Sequence, residues 1–359
     1  MTLAGFCKTA VKSSAVISWK PTGKLQQTVA NCIERTGVGL HSGKLSTVRI
    51  WPELAGEGRY FDFNSKIICA TIDNVKETPL CTTLCKEGYS VRTVEHLLSA
   101  LEGIGVDNCR IEIQSCDPDD ASVEVPLFDG SAKEWVDGIQ EVGLKAAVDH
   151  DGKSLEKLAP FLNEPVCVSK NDSHIIAFPY PKTKIRYGIH FPKVPAIGHQ
   201  WFYSGFGNEN GYAKEIAPSR TFCIYEQVEK LRDAGLIGGG SAENAIVCSE
   251  TRGWLNPPLR FDNEPCRHKV LDFIGDVSLL ARAGSQGIPV ADIIAYKASP
   301  QFSMVRVGRI FQCGFLLVFL RLATQVQPCA STKEATAEGE LLASRQAFGK
   351  YNWQILFSE

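Results

Sequence analysis

One helical segment constrains the fold of this chain more than any other feature of the sequence. The run from His268 to Leu280 is strongly apolar, yet His268, Asp272 and Asp276 recur in it every four residues and share one helical face. Because apolar residues cover the remaining surface, we predict a helix that is buried on most sides by other parts of the fold. Carboxylates left without a partner there would cost several kcal/mol, so the polar stripe needs a partner of its own.

Two partners fit that stripe. A bound cation is the first, because a His and a carboxylate one turn apart can both reach a single Zn²⁺ at about 2.0 to 2.2 Å. The second is an ion pair between a protonated His268 and Asp272, on a helix that is more exposed to solvent than the sequence indicates. The segment alone does not decide between these alternatives.

A Glu that immediately precedes a His adds catalytic chemistry. In a zinc enzyme, a His such as His96 can bind the metal while the neighbouring Glu95 takes a proton from the attacking water. His96, His268 and Asp272 together would supply the three protein ligands that catalytic zinc sites commonly have. Dipeptides of this kind are also common on ordinary surfaces, so the Glu95-His96 pair alone is weak evidence.

Strand and helix patterns are grouped along the chain rather than strictly alternating. Alternation of apolar and polar residues predicts a strand most clearly at Cys109 to Gln114. Further strands are predicted at Leu45 to Trp51, Pro165 to Ser169, His174 to Phe178, Lys184 to His190 and Ala245 to Cys248. Helices are predicted at Thr93 to Leu101, capped by Thr93, and at Tyr225 to Ala234. This grouping places the chain in the α+β class.

The polar stretch from Lys145 to Lys157 lacks a strong apolar period and is the predicted linker between two domains. The predicted organisation is a transit peptide at 1–25, an N-terminal α+β domain at 26–144, a linker at 145–160, a C-terminal α+β domain at 161–298 and a divergent, poorly ordered tail at 299–359. Several Lys, Ser and Thr with no acid before Glu34 are typical of an organellar leader, with the mitochondrion favoured over the chloroplast. An ordinary disordered basic N-terminus is the alternative.

Charge and hydropathy argue against two kinds of partner. With 38 basic and 40 acidic residues the formal net charge is -2, so we expect no whole-chain attraction to nucleic acid. The longest uniformly apolar stretch, around Gly314 to Leu320, is far shorter than the ~20 residues that span a bilayer, so we expect no transmembrane segment. A monomer that acts on a small-molecule substrate is the remaining expectation.

Six short motifs in series make the sequence specific. They are GVGLHSG at 37–43, TVEHLLSAL at 93–101, EVPLFDGS at 124–131, SRTF at 219–222, GGS at 239–241 and RHKVLDFIGD at 267–276. In this order they closely resemble the UDP-3-O-acyl-N-acetylglucosamine deacetylases of lipid A synthesis, from about Gln26 to Ala298. With its leader, the chain resembles a plant organellar member of that family.

This resemblance implies a fold, a cofactor and a reaction. The fold would be two similar α+β domains, each a β-sheet layered with helices, with zinc between them. The implied reaction is zinc-dependent removal of the acetyl group from a UDP-acyl-glucosamine. The resemblance implies that His96, His268 and Asp272 bind the zinc and that Glu95 is the general base. It implies that Thr221 donates a hydrogen bond to the tetrahedral intermediate and that Phe222 lines the substrate site. It also implies that Lys269 is a cation near the scissile centre and that Asp276 orients an imidazole.

The chain departs from the family pattern after Ala298. There the family continues with a Gly-His pair whose imidazole protonates the leaving amine, whereas this chain reads Ser299-Pro300-Gln301-Phe302. The last of the seven histidines is His268, so no later residue supplies that imidazole. An alternatively spliced or mistranslated end is favoured over adaptation, and a catalytically impaired isoform that binds zinc and nucleotide sugar is the alternative to an active deacetylase.

Overall fold

The computed structural model describes residues 13, 16–76, 80–117, 119–170, 172–205, 211–256 and 258–297, which form the α+β fold that the sequence predicts. The strands are β1 (Ile17–Leu25), β2 (Gln27–Val29), β3 (Ile33–Val38), β4 (Leu45–Pro52), β5 (Arg59–Phe63), β6 (Lys66–Cys69), β7 (Val75–Lys76), β8 (Thr83–Lys86), β9 (Tyr89–Arg92), β10 (Cys109–Ser115), β11 (Ser122–Glu124), β12 (Leu144–Ala146), β13 (Glu156–Leu162), β14 (Val166–Lys170), β15 (Ser173–Pro179), β16 (Lys184–Phe191), β17 (Gly198–Gly205), β18 (Phe222–Ile224), β19 (Ile246–Ser249), β20 (Gly253–Trp254) and β21 (Ala291–Tyr296). The α-helices are α1 (Glu95–Ile104), α2 (Lys133–Val142), α3 (Tyr225–Asp233) and α4 (Glu264–Val277), with shorter helical turns at Ile72–Asn74, Tyr212–Ile216 and Ser278–Leu280.

Two five-stranded sheets share one topology. The first has the order β3-β4-β10-β5-β6 and the second the order β14-β15-β21-β16-β17. In each, the last strand along the chain lies in the centre, parallel to one neighbour and antiparallel to the other. In each, one α-helix is the last before that central strand in the chain, α1 before β10 and α4 before β21. The two halves of the fold are therefore similar in structure, although the sequence shows no internal repeat.

Strand β1 covers residues that the sequence assigns to the leader. It pairs with β13 from Ile17 opposite Leu162 to Leu25 opposite Glu156, and Val16 beside it is buried. Strand β13 itself begins inside the predicted linker, and β12 pairs with β2. The domain boundaries thus remain predictions, and the tail at 299–359 lies outside the described residues. Among the described helices, none is long and apolar enough to cross a membrane.

The helices α1 and α4 pack against each other and join the two halves. Leu97, Leu101, Leu271 and Ile274 from these helices are all fully buried in one continuous hydrophobic core. The predicted cap of α1 is wrong: the helix begins at Glu95 and Thr93 lies outside it with a φ of 58°. The Thr93 hydroxyl donates instead to the buried carboxylate of Glu124 at 2.7 Å, so a tertiary contact replaces the expected cap.

A glycine permits the close approach of these helices. A Cβ atom added to Gly275 in α4 would lie 2.0 Å from the carbonyl oxygen of Glu95 at the start of α1. We expect Gly275→Ala to lower the free energy of unfolding by about 1 to 3 kcal/mol, because neither helix backbone can move aside freely. Denaturant unfolding would measure this. Gly205→Ala, which has nothing within 4 Å of its added Cβ, should stay within about 0.5 kcal/mol of the parent, and equal losses in both variants would contradict the close packing.

Candidate metal centre and active site

Three predicted metal ligands meet where α1 and α4 pack together. The Nε2 atoms of His96 and His268 lie 3.4 Å and 3.3 Å from the same carboxylate oxygen, Oδ1 of Asp272. The candidate ligand atoms of the three residues all lie within 4.8 Å of one another. The two imidazole rings stand edge to face with centroids 5.0 Å apart. The structure therefore brings together the three residues that the sequence singled out as ligands.

The surroundings set the protonation of these groups. Nδ1 of His268 lies 3.0 Å from the carbonyl oxygen of Ser219, which can only accept, so Nδ1 carries the proton and Nε2 presents its lone pair. Burial, assisted by the neighbouring His96 and Lys269, lowers the pKa of His268 to about 4, so its ring is neutral at pH 7. Burial opposes the charge of Asp272, but His268, Lys269 and His96 outweigh it and hold the pKa of Asp272 well below its usual range. A neutral His268 imidazole beside the charged Asp272 carboxylate is the combination of protonation states that a divalent metal needs from these two ligands.

Glu95 lies next to this cluster in the first turn of α1. One of its carboxylate oxygens, Oε2, accepts a hydrogen bond from the backbone N–H of Thr82 at 3.0 Å. Burial, followed by the nearby Cys81, Asp276 and Asp272, raises the pKa of Glu95 well above its usual range. A carboxyl group with a raised pKa has greater affinity for a proton, as a general base near neutral pH requires.

Lys269 and Asp276 complete the polar face of α4. The Lys269 ammonium donates to Oδ2 of Asp272 at 2.7 Å, so Asp272 has one oxygen toward the histidines and the other toward this cation. Asp276 accepts a hydrogen bond at 2.6 Å from the hydroxyl of Thr82. Thr82 therefore holds both Glu95, through its backbone, and Asp276, through its side chain.

Thr221 directly precedes strand β18, and Phe222 is the first residue of that strand. The backbone N–H of Thr221 donates to the carbonyl of Gly130 at 2.7 Å. Phe222 is fully buried, and the Lys269 ammonium lies 5.8 Å from the centre of its ring. Next to Thr221, Arg220 forms an ion pair of 2.9 Å with Glu264, the first residue of α4, and this pair anchors the segment to the helix that carries His268.

A cavity of about 430 Å³ joins these groups. All eight predicted site residues line it, namely Glu95, His96, Thr221, Phe222, His268, Lys269, Asp272 and Asp276. A second part of its wall is apolar, and the residues there include Leu40, Leu80, Leu127, Val228, Leu231 and Ile237. Gly240 and Ser241 of the GGS motif at 239–241 also line it. The cavity thus joins a polar, metal-competent end to an apolar wall, an arrangement suited to a ligand with a polar head and an acyl chain.

Several residues at the site had no signal in the sequence. Thr82 lies directly before β8 and outside the six motifs, and its contacts to Glu95 and Asp276 join positions 13 and 194 residues away. Glu264 is a buried carboxylate that accepts hydrogen bonds from the backbone N–H and the guanidinium of Arg220, 44 residues away in the chain. Only the tertiary fold brings these partners together, so local pattern could not find them.

Sequence comparison relates this chain to a family of known proteins. The sequence model of the family described as UDP-3-O-acyl N-acetylglycosamine deacetylase matches residues 26–312. The motifs alone placed the end of the resemblance at residue 298, so the match extends further along the chain than the motifs indicated. An Arabidopsis thaliana protein named probable UDP-3-O-acyl-N-acetylglucosamine deacetylase 1, mitochondrial, is 60% identical over 286 residues, 80% of this chain and 88% of the relative. A protein from Trichormus variabilis named UDP-3-O-acyl-N-acetylglucosamine deacetylase is 48% identical, over 79% of this chain and 98% of the relative. A protein of the same name from Synechocystis is 44% identical, over 73% of this chain and 90% of the relative.

Proposed function

The chain belongs to the UDP-3-O-acyl N-acetylglycosamine deacetylase family, and we propose that it hydrolyses the N-acetyl group of UDP-3-O-acyl-N-acetylglucosamine. The products would be acetate and a free amine, in the synthesis of a lipid A-type glycolipid. The observation that carries this proposal is the placement of Glu95 beside a His, His and Asp ligand set in a cavity with an apolar wall. We propose zinc as the cofactor and a monomer as the working form.

The ligand set suits zinc. Two ligand atoms at about 2.0 to 2.1 Å from one tetrahedral ion lie roughly 3.3 to 3.4 Å apart. The two distances from Asp272 Oδ1 to the histidine Nε2 atoms are 3.4 Å and 3.3 Å. His96, His268 and Asp272 would hold the ion, and three protein ligands leave a position for water or substrate. When bound, zinc polarises the acetamide carbonyl and makes water a stronger acid.

Residues of the chain carry out proton transfer, stabilisation of negative charge and contact with the substrate. Glu95 accepts the proton of the attacking water and is held for this by the backbone N–H of Thr82. Lys269, from its position beside Asp272, and Thr221 stabilise the negative charge that develops on the acetamide oxygen. Phe222 forms part of the wall against the substrate, and Asp276 accepts the hydrogen bond from the hydroxyl of Thr82, whose backbone N–H holds Glu95. The apolar part of the cavity receives the acyl chain.

A second function deserves a test because of one observation in the sequence. Ser299-Pro300 replaces the Gly-His pair that the family resemblance leads us to expect, so the imidazole that would protonate the leaving amine is missing. A chain of this kind could bind zinc and the nucleotide sugar and yet turn substrate over slowly. Comparison of binding with turnover separates the impaired protein from the active enzyme.

Stoichiometric zinc is the first testable consequence. We expect elemental analysis to find about one zinc per chain in protein prepared without chelator. Since outer-shell changes alone cost about 10- to 100-fold in metal affinity, His268→Ala should weaken zinc binding by at least about 100-fold. His174→Ala, on strand β15, serves as the matched control and should retain the metal. A parent protein that binds no stoichiometric metal would rule out the proposed cofactor.

Import into the mitochondrion is the proposed localisation. The composition of the leader and the names of the plant relatives support it. Because β1 begins at Ile17 and Val16 is buried, we propose a cut before Val16 instead of the position near residue 25 expected from composition alone. N-terminal sequencing of protein recovered from isolated mitochondria would locate it. An intact Met1 in that fraction would contradict removal of a leader.

A further inference from the structure

Cys81 and His41 both line the cavity, and the proposed reaction uses neither residue. Cys81 immediately precedes Thr82 and is partly exposed. His41 is only 6% exposed, and its Nδ1 lies 2.7 Å from the carbonyl oxygen of Leu236, so Nδ1 is the donor. The other ring nitrogen, Nε2, is buried and has no hydrogen-bond partner among the described residues, and the His41 ring is electrostatically coupled to the Cys81 thiol.

This coupling changes the acidity of the thiol. Burial raises the pKa of Cys81, but the coupling to His41, with the hydroxyls of Thr93 and Thr83, outweighs burial and lowers it to about 7. Cys223 lines the same cavity without such a partner, and burial raises the pKa of its thiol to about 11. Thiolates are the nucleophilic form of cysteine, so two thiols in one cavity differ sharply in expected reactivity.

We propose that Cys81 is a site of reversible oxidation by a small peroxide, with His41 as the proton donor to the leaving group. The thiolate sulfur attacks one peroxide oxygen, so that an S–O bond forms as the O–O bond breaks. Sulfur gives up two electrons, and the hydroxide that leaves takes the proton of the His41 imidazolium and departs as water. The thiol and hydrogen peroxide thus become a sulfenic acid and water, and a thiol reductant can reverse the change.

The position of Cys81 gives this oxidation a consequence. The added oxygen lies in the same cavity as Glu95, beside Thr82, whose N–H and hydroxyl hold Glu95 and Asp276. Oxidation at Cys81 would therefore disturb the groups around the metal centre and limit access of a ligand to it. Hydrogen peroxide is small enough to enter a cavity of about 430 Å³.

The test needs no substrate and so stands apart from the proposed function. The zinc-loaded full chain is treated at pH 7.5 with hydrogen peroxide in the presence of dimedone, which traps sulfenic acids, and labelled peptides are quantified by mass spectrometry. We expect Cys81 to be labelled at least about tenfold faster than Cys223. In His41→Gln, labelling of Cys81 should fall by about tenfold while that of Cys223 stays the same. Cys81→Ser should lose this label alone.

Two results would overturn the proposal. The first is equal labelling of Cys81 and Cys223, which would mean that the imidazole confers no special reactivity. The second is the absence of label on Cys81 when the exposed Cys116 and Cys167 are labelled in the same sample. Unchanged labelling of Cys81 in a folded His41→Gln protein would remove His41 from the mechanism. If that variant does not fold, the relative labelling rates of Cys81 and Cys223 in the unaltered chain still test whether Cys81 is the reactive thiol.

Discussion

Glu95→Gln is expected to lower the rate constant for acetate release by about 10² to 10⁴, the typical contribution of a general base. Glutamine has nearly the same shape and can still accept the hydrogen bond from the Thr82 N–H, so the site should keep its structure. It cannot accept the proton of the attacking water. Steady-state kinetics should therefore show a large fall in kcat with little change in KM, and the zinc content should be unchanged, because His96, His268 and Asp272 remain.

The control for this substitution is the same chemical change outside the cavity. Glu141 lies on α2, and its carboxylate is 72% exposed and pairs with Arg35. Glu141→Gln should therefore leave kcat within about twofold of the parent value. A kcat for Glu95→Gln within tenfold of the parent would show that another group accepts the proton. Loss of zinc from Glu95→Gln would instead mean that the carboxylate supports the ligand set.

Exchange of the chain from residue 299 onward for an ending of the family type, which carries the Gly-His pair, is expected to raise kcat by about 10² to 10⁴. Collapse of the tetrahedral intermediate expels an amine, which needs a proton on nitrogen. The imidazole that the family resemblance assigns to this step is missing from the present chain. Substrate affinity should stay near normal, because the proposed ligands, Thr221, Phe222 and Lys269 all precede residue 299.

Both Kd and kcat need to be measured on the two proteins. Equal kcat values would show that the absent imidazole is dispensable. A gain smaller than about 10² would indicate that Glu95 returns the proton it has accepted. Binding that is lost in the present chain and restored by the exchanged ending would show that the altered end damages the second half of the fold.

The polar stripe of α4 illustrates what the sequence could predict. A spacing of four residues placed His268, Asp272 and Asp276 on one face, and the apolar residues around them indicated burial. Both features are local, and the structure has all three side chains lining one cavity. The approach of α1, by contrast, depends on Gly275 touching the backbone of Glu95, a contact that no local pattern reports.

Thr93 and Thr82 show where local interpretation stops. A Thr before an apolar helical run normally caps it, but the buried Glu124 carboxylate takes the Thr93 hydroxyl, and the helix begins at Glu95. Thr82 has no distinctive neighbours in the sequence, and its role follows only from the meeting of β8, α1 and α4. The shared strand order of the two sheets likewise follows from long-range pairing and has no counterpart as a sequence repeat.

Acetate release under single-turnover conditions would show whether this chain is a zinc-dependent deacetylase. UDP-3-O-acyl-N-acetylglucosamine is mixed with an excess of zinc-loaded protein, with the same protein stripped of metal, and with zinc-loaded Glu95→Gln. We expect the zinc-loaded parent to convert the bound substrate to acetate and free amine at least about 100-fold faster than either of the others. The same rate in all three samples, or no acetate from zinc-loaded protein that demonstrably binds the substrate, would contradict assignment of this chain as a zinc-dependent deacetylase.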